Sequence, residues 1–213
     1  MAKDYLQQYF DFAHAIEVLK KLERYKGQVY WRDYPQPLRH ESVADHTWRL
    51  CVLILLFEDR LKTPIDTAKV LQMALIHDLP EVIAGDASPL GETGTGHDSH
   101  AFNEAVAKQR HHTEKLAAQQ LFGLLPKSKR QHFLALWLEF EQQHSFESRL
   151  VKCFDKLEAV LQILEYTAGT LLPSHFEFVK TYSFQLIDID PAVQQFGELI
   201  REDLERKYRE FKK

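Results

Sequence analysis

The chain has 213 residues, 45% of them apolar and 27% charged, the balance of a globular protein with enough chain for one large or two small domains and a sizeable core. A formal net charge of -4 offers no general attraction to a nucleic-acid polymer or an anionic membrane, so a phosphate-bearing ligand has to meet a local positive or metallic patch, and a small ligand fits better than a polymer. The N-terminus lacks a basic-then-apolar signal pattern and the longest apolar run, near 50–57, falls far short of the ~20 residues of a membrane span, which makes a cytoplasmic location the expectation.

From Asp4, a plausible N-cap, to about Tyr25, apolar residues recur at helical spacing (Tyr9, Phe12, Ile16, Leu19), and Lys26-Gly27 ends this amphipathic helix. The segment from Gln28 to Arg39 carries Tyr30, Trp31, Arg32 and two prolines and reads as a loop or short extended piece. Its arginines either meet a ligand phosphate or stand solvated beside a loop pinned by buried aromatics. Ser42 with Asp45 forms a carboxylate variant of the capping box and opens a helix through Leu56 that bears His46 in its second turn. Thr63-Pro64 signals a further start, and Ala68 to Ile76 is apolar on nearly all sides, as in a central helix. That run delivers His77 and Asp78 at its end, with Glu81 four residues after His77 and Pro80 predicting a distortion between them.

Residues 85–96 hold four of the eight glycines and predict an exposed, mobile loop; with no GK[ST] following, it is no phosphate loop. The neighbouring His97, His100, His111 and His112 lie in a polar stretch and are expected on the solvated surface, and His40 is left unassigned. A polar-faced helix over about 98–124 and another after Pro126 read as packing elements. Ser145 caps a helix with an apolar stripe of Leu150, Val151, Phe154, Leu157 and Leu161, and Asp155 sits on it among Lys152, Lys156 and Glu158, where surface ion pairs are the plain alternative to a functional role. The aromatic piece from Phe176 to Phe184 is a possible extended exception, and Asp190-Pro191 starts a last amphipathic helix. Cys51 and Cys153 fall in apolar helical patterns rather than at CxxC spacing, so reduced core thiols and no disulfide are expected. No strand-length alternation, repeat or linker stands out, which gives an all-α chain forming one domain over 1–213.

His77 and Asp78 interrupt an apolar run that holds an unpaired polar dipeptide only at a cost, so something has to compensate them. With His46 before and Asp155 after, two imidazoles and two carboxylates come from separate helices, and this H…HD…D arrangement resembles the HD-domain superfamily of metal-dependent phosphohydrolases. The blocks Arg39-x-Glu41-Ser42-Val43-x-Asp45-His46, His77-Asp78-x-x-Glu81-Val82-x-x-Gly85-Asp86 and Leu150-Val151-Lys152-x-x-Asp155 are similar to its 5'-deoxynucleotidase branch. The resemblance implies a single HD-type helical bundle with its motif core at about 39–156 and helices of 190–213 for packing or dimer contacts. It implies a homodimer that hydrolyses deoxyribonucleoside 5'-monophosphates with His46, His77, Asp78 and Asp155 as metal ligands. Asp86 would contact the sugar or orient the water, or else be a turn aspartate, and Ser88 is grouped with it as a substrate contact.

Four such ligands leave a six-coordinate ion with roughly two open positions, for a water and a phosphate oxygen, and a structural zinc site would favour cysteines. One divalent ion per chain is expected, with Mn²⁺, Co²⁺, Fe²⁺, Zn²⁺ and Mg²⁺ all compatible with mixed nitrogen and oxygen donors. Glu81 is the candidate to position or deprotonate the attacking water; a helix-face ion pair is its alternative. Arg32 and Arg39 could hold phosphate, with Trp31 stacking or ordering the site. Two other readings remain: an HD-type enzyme for a triphosphate or cyclic phosphodiester, and a nucleotide-binding protein without turnover.

Overall fold

The computed structural model describes residues 5–24, 40–166 and 171–211. Helix α1 (Tyr5–Ala15) tightens into a 3-10 turn at Ile16–Lys20 where a longer regular helix was expected, and the cap at Asp4 lies outside the described residues. There follow α2 (Val43–Phe57), α3 (Thr67–Ile76), the single turn α4 (Glu81–Ala84), α5 (Glu104–Phe122), α6 (Lys127–Gln142), α7 (Phe146–Tyr166), α8 (Pro173–Tyr182) and α9 (Pro191–Phe211). The fold is all-α; among the described residues the extended pairing amounts to one bridge, Glu23 to Ser42. That bridge ties the 3-10 turn to the start of α2, with Arg24 N–H donating to Glu41 O at 2.9 Å and Val43 N–H to Leu22 O at 3.0 Å.

Local chemistry sets most boundaries. The Ser42–Asp45 capping box is complete: the Asp45 amide donates to Ser42 Oγ at 3.2 Å and the Ser42 amide to Asp45 Oδ2 at 2.9 Å. Ser145 and Ser148 satisfy each other's amides before α7, and Asp190 Oδ1 accepts from Ala192 N–H at 2.9 Å as α9 begins. Three expectations are corrected. Helix α3 starts after Asp66, whose carboxylate accepts from Lys69 N–H at 3.0 Å, not at Thr63-Pro64. Helix α5 starts after Asn103, because Asp98 is already engaged by Glu92 N–H at 2.8 Å and the Thr93 hydroxyl at 2.7 Å. The aromatic piece at 176–184 is mostly helix α8, since His175, Phe176, Phe178 and Val179 fall on one buried helical face.

The glycine-rich segment is likewise not simply exposed. Gly96 donates to Leu90 O at 2.9 Å, the Ser99 hydroxyl donates to Gly96 O at 3.0 Å, and Ser88, Leu90 and Ser99 are buried. Helix α7 runs through the middle of one continuous core: Leu150, Val151, Phe154, Leu157 and Val160 are wholly buried against Leu50 and Ile54 of α2, Val70 and Met73 of α3, and Trp137 of α6. Helix α9 lies on α7 with Val193 and Leu204 buried, and its Tyr208 stacks on Phe176 at 3.8 Å between centroids. Cys51 and Cys153 are not disulfide-bonded, as expected. No helix among the described residues is long and apolar enough to cross a membrane.

Candidate metal centre

Three central helices deliver the four predicted ligands to one point. The capping box fixes the phase of α2 so that His46, one turn in, faces the core and is wholly buried. Helix α3 stops at Ile76 rather than continuing to Glu81; the Pro80 distortion converts 77–80 into turns, with Leu79 N–H on Ile76 O at 3.2 Å and Glu81 N–H on Asp78 O at 3.0 Å. This break turns both His77 and Asp78 to the same side. Asp78 Oδ2 lies 3.1 Å from His77 Nε2 and 3.9 Å from His46 Nε2, while Asp155 Oδ1 on α7 lies 3.2 Å from His46 Nε2. Donor atoms of His46, His77 and Asp155 all fall within 4.8 Å of one another. The imidazoles form the floor, 0% and 1% exposed, and the carboxylates the rim, at 16% for Asp78 and 13% for Asp155.

These residues fit a divalent cation. His77 Nδ1 is 2.7 Å from Ala74 O, an oxygen that can only accept, so Nδ1 carries the proton and Nε2 presents a lone pair. His46 Nδ1 is in close contact with Glu158 Oε2, which orients its ring the same way. Both Nε2 atoms are buried and neither has a hydrogen-bond partner. Burial opposes charge on Asp78, yet His77 and His46 overcome it and hold its carboxyl below the usual range; at Asp155 burial is likewise outweighed by Lys152 and His46. Against burial and Arg24, Glu158 and Asp155 push His46 up to about 10, so this cage draws in positive charge, as a proton or as a metal.

Behind the cage stands a buried charge network that the sequence did not announce. Arg24 bonds Glu41 Oε2 at 2.9 Å and Glu158 Oε2 at 3.4 Å, and Arg49 Nε donates to Glu158 Oε1 at 2.7 Å. Glu158, expected in a surface ion pair, is wholly buried; burial opposes its charge, but His46, Arg24 and Arg49 hold its carboxyl down to about 2. Its position three residues after Asp155, on the same helical face, was the available signal.

In front of the cage a small cavity is lined by the carboxylates of Asp78, Glu81, Asp86 and Asp155, by the cations Arg24, Arg110, Lys152 and Lys156, and by His100 and Tyr182. Glu81 is 7% exposed, and its Oε2 has no hydrogen-bond partner; burial, then Asp78 and Asp86, raise its carboxyl well above the usual range. Ala87 and Pro89 line this cavity but Ser88 does not: it is buried in the loop, its hydroxyl accepting from Leu90 N–H at 3.3 Å. Lys156, for which the sequence offers either a solvated lysine or a phosphate neighbour of Asp155, is 8% exposed, donating to Tyr182 O and Gln185 Oε1 at 3.1 Å each. Lys152 donates to Asp155 Oδ2 at 2.7 Å and so holds the second oxygen of that carboxylate.

Of the histidines expected on the surface, His97 and His112 are exposed, whereas His100 lines the cavity and His111 stacks on Trp137 at 5.8 Å and sits 2.9 Å from Glu141. Trp31, Arg32 and Arg39 lie outside the described residues. Arg110 has no sequence signal at all, since it sits on a helix with a polar face.

A family model described as "HD domain" matches residues 18–196. The chain is 36% identical over 155 residues to the 5'-deoxynucleotidase HDDC2 of Danio rerio, covering 73% of this chain and 68% of the relative. Against the same-named protein of Xenopus laevis it is 34% identical, covering 73% and 67%. In fold it is similar to a structure from Magnetospirillum magnetotacticum described as a predicted metal-dependent phosphohydrolase, with a TM-score of 0.71 at 22% identity over 96% of this chain and 97% of that one.

Proposed function

The chain belongs to the HD-domain family, and from that premise we propose that it is a 5'-deoxynucleotidase, a hydrolase that converts deoxyribonucleoside 5'-monophosphates to deoxynucleoside and phosphate. The observation that carries the reading is the pair of buried, unpartnered Nε2 atoms of His46 and His77 facing the carboxylates of Asp78 and Asp155. Those four residues would hold one divalent ion, which when bound lowers the pKa of water and neutralises charge on a phosphoryl group.

The chain's own groups supply the rest. Glu81 faces the cavity with an unengaged carboxylate oxygen and serves to take the proton from the attacking water; burial makes it a stronger base than an exposed carboxylate. Water oxygen bonds to phosphorus as the bond to the 5'-oxygen breaks, and the proton ends on that oxygen. Asp86, lining the same cavity, is suited to the sugar, and Trp31, Arg32 and Arg39 remain candidates for base and phosphate contacts. Ser88, grouped with Asp86 as a substrate contact, is buried in the loop beside this cavity rather than lining it.

We further read the chain as one cytoplasmic domain that pairs as a homodimer. Exposed Tyr5, Leu6, Tyr9 and Phe10 on α1 with Trp48, Leu55 and Leu56 on α2 support such a pairing. Light scattering reads the dimer directly. For the activity, purified protein loaded with Mn²⁺ or Co²⁺ is offered a panel of deoxynucleoside and nucleoside monophosphates, triphosphates and cyclic phosphodiesters. Release of phosphate from the deoxynucleoside monophosphates is expected, and no release from them with any divalent metal overturns the reading.

A further inference from the structure

We propose that the guanidinium of Arg110, with the ammonium of Lys156, anchors the non-reacting oxygens of a phosphate monoester seated at the His46–His77–Asp78–Asp155 cage. This rests on the phosphomonoesterase reading above and assigns the part of the site that recognises the anion.

Arg110 projects from α5 with its side chain 25% exposed and opens onto both the cage cavity and an adjoining cavity of about 430 Å³. Its one ion pair among the described residues is from Nε to Glu114 Oε1 at 2.8 Å, and its two terminal nitrogens make no hydrogen bond there. A planar fork with both outer nitrogens unengaged matches the paired oxygens of a phosphate. Glu114 and Glu141 stand near the guanidinium, and Asp78 and Glu81 face it from the cage.

Lys156 uses two of its three donors on Tyr182 O and Gln185 Oε1 and lies 3.9 Å over the Tyr182 ring, which fixes its ammonium at the cavity wall. Lys152 is different: its contact with Asp155 makes it a positioning residue for the cage rather than an anchor. His100 reports the field of this wall. Burial first, then Arg110, Lys152 and Lys156, lower its imidazole to about 3, as expected where three cations converge on one space. The same cavity is lined by carboxylates that can receive a cation and by Arg110 and Lys156 that can receive an anion, which are the charges a metal-bound phosphate ester needs.

The test uses the full chain loaded with Mn²⁺ and inorganic phosphate as the probe, followed by calorimetry, alongside steady-state kinetics with a deoxynucleoside monophosphate. Losing a charge-assisted, two-pronged contact is expected to weaken phosphate binding about ten- to a hundredfold in Arg110→Gln and to raise KM similarly, with bound metal unchanged. Arg110→Lys should recover part of the loss, and Lys156→Met should also weaken the binding. Because Arg110→Gln leaves Glu114 without its partner, the pair Arg110→Gln with Glu114→Gln provides a neutral replacement. Phosphate affinity within about twofold of the parent in both backgrounds overturns the proposal. If the parent binds phosphate and the Arg110 variants lose it, the anchor stands even when no deoxynucleotide is hydrolysed, and only the substrate reading falls.

Discussion

Glu158 Oε2 lies against Nδ1 of His46, and this contact between two wholly buried side chains fixes which imidazole nitrogen faces the cage. Arg24 and Arg49 in turn hold the carboxylate. Glu158→Gln should weaken divalent-metal binding by about ten- to a hundredfold, read as the dissociation constant in a metal titration. The same change leaves two arginines short of a counter-charge, so the metal-free protein should lose about 3–5 kcal/mol in urea unfolding. Parent-like metal affinity in this variant would show that the ring is oriented by the cage alone.

Glu81 stands outside the four-residue cage with one carboxylate oxygen unengaged, so its removal should separate binding from turnover. Glu81→Gln keeps the shape and is expected to lower kcat by about 10²–10⁴ while elemental analysis finds the parent's metal content. Loss of metal together with activity would instead make Glu81 a ligand.

Acid stability should carry the signature of His100. Its pKa in the fold, about 3, is below the unfolded value of 6.5, so the unfolded chain takes up a proton first as pH falls. The contribution is therefore complete above about pH 6.5 and is lost progressively toward pH 3, with a slope approaching about 1.4 kcal/mol per pH unit. His100→Gln should remove this component, narrowing the stability difference between pH 7 and pH 5 in denaturant titrations. An imidazole NMR titration near pH 6.5 in the native protein would contradict the placement.

The packing of the glycine-rich segment predicts sensitivity at Gly96, where φ is +79° and an added Cβ would come within 2.5 Å of the Phe178 ring. Gly96→Ala should cost about 1–3 kcal/mol of stability, from the left-handed backbone and the clash together, and lower Tm without changing metal content. A neutral substitution would mean that the segment moves freely off α8.

Much of the site was legible because its signals are local. A His-Asp pair breaking an apolar run, a capping box that sets the phase of His46, and an aspartate on an amphipathic helix are each visible within a few residues, and together they carry the resemblance to the family. Helix starts at Ser42, Ser145 and Asp190 were equally readable, since a cap is chemistry between neighbours. The starts misread at Thr63-Pro64 and Asp98 are those where a competing side chain, Asp66 or Asn103, made the cap instead.

What only the tertiary structure decided is charge in context. Lys156 and Glu158 look like solvated positions on an amphipathic helix, and the packing of α2 and α8 over α7 buries both, making one part of the cavity wall and the other the support of His46. Arg110 and Arg24 reach the same centre from positions far along the chain from His77, at separations where no periodicity connects them to it. The sequence by itself determined most of the helices, which follow from short-range pattern, and offered the four metal-ligand candidates through their resemblance to the HD-domain family. Which charges surround them is a long-range outcome, set by how the helices pack and which side chains that packing removes from water.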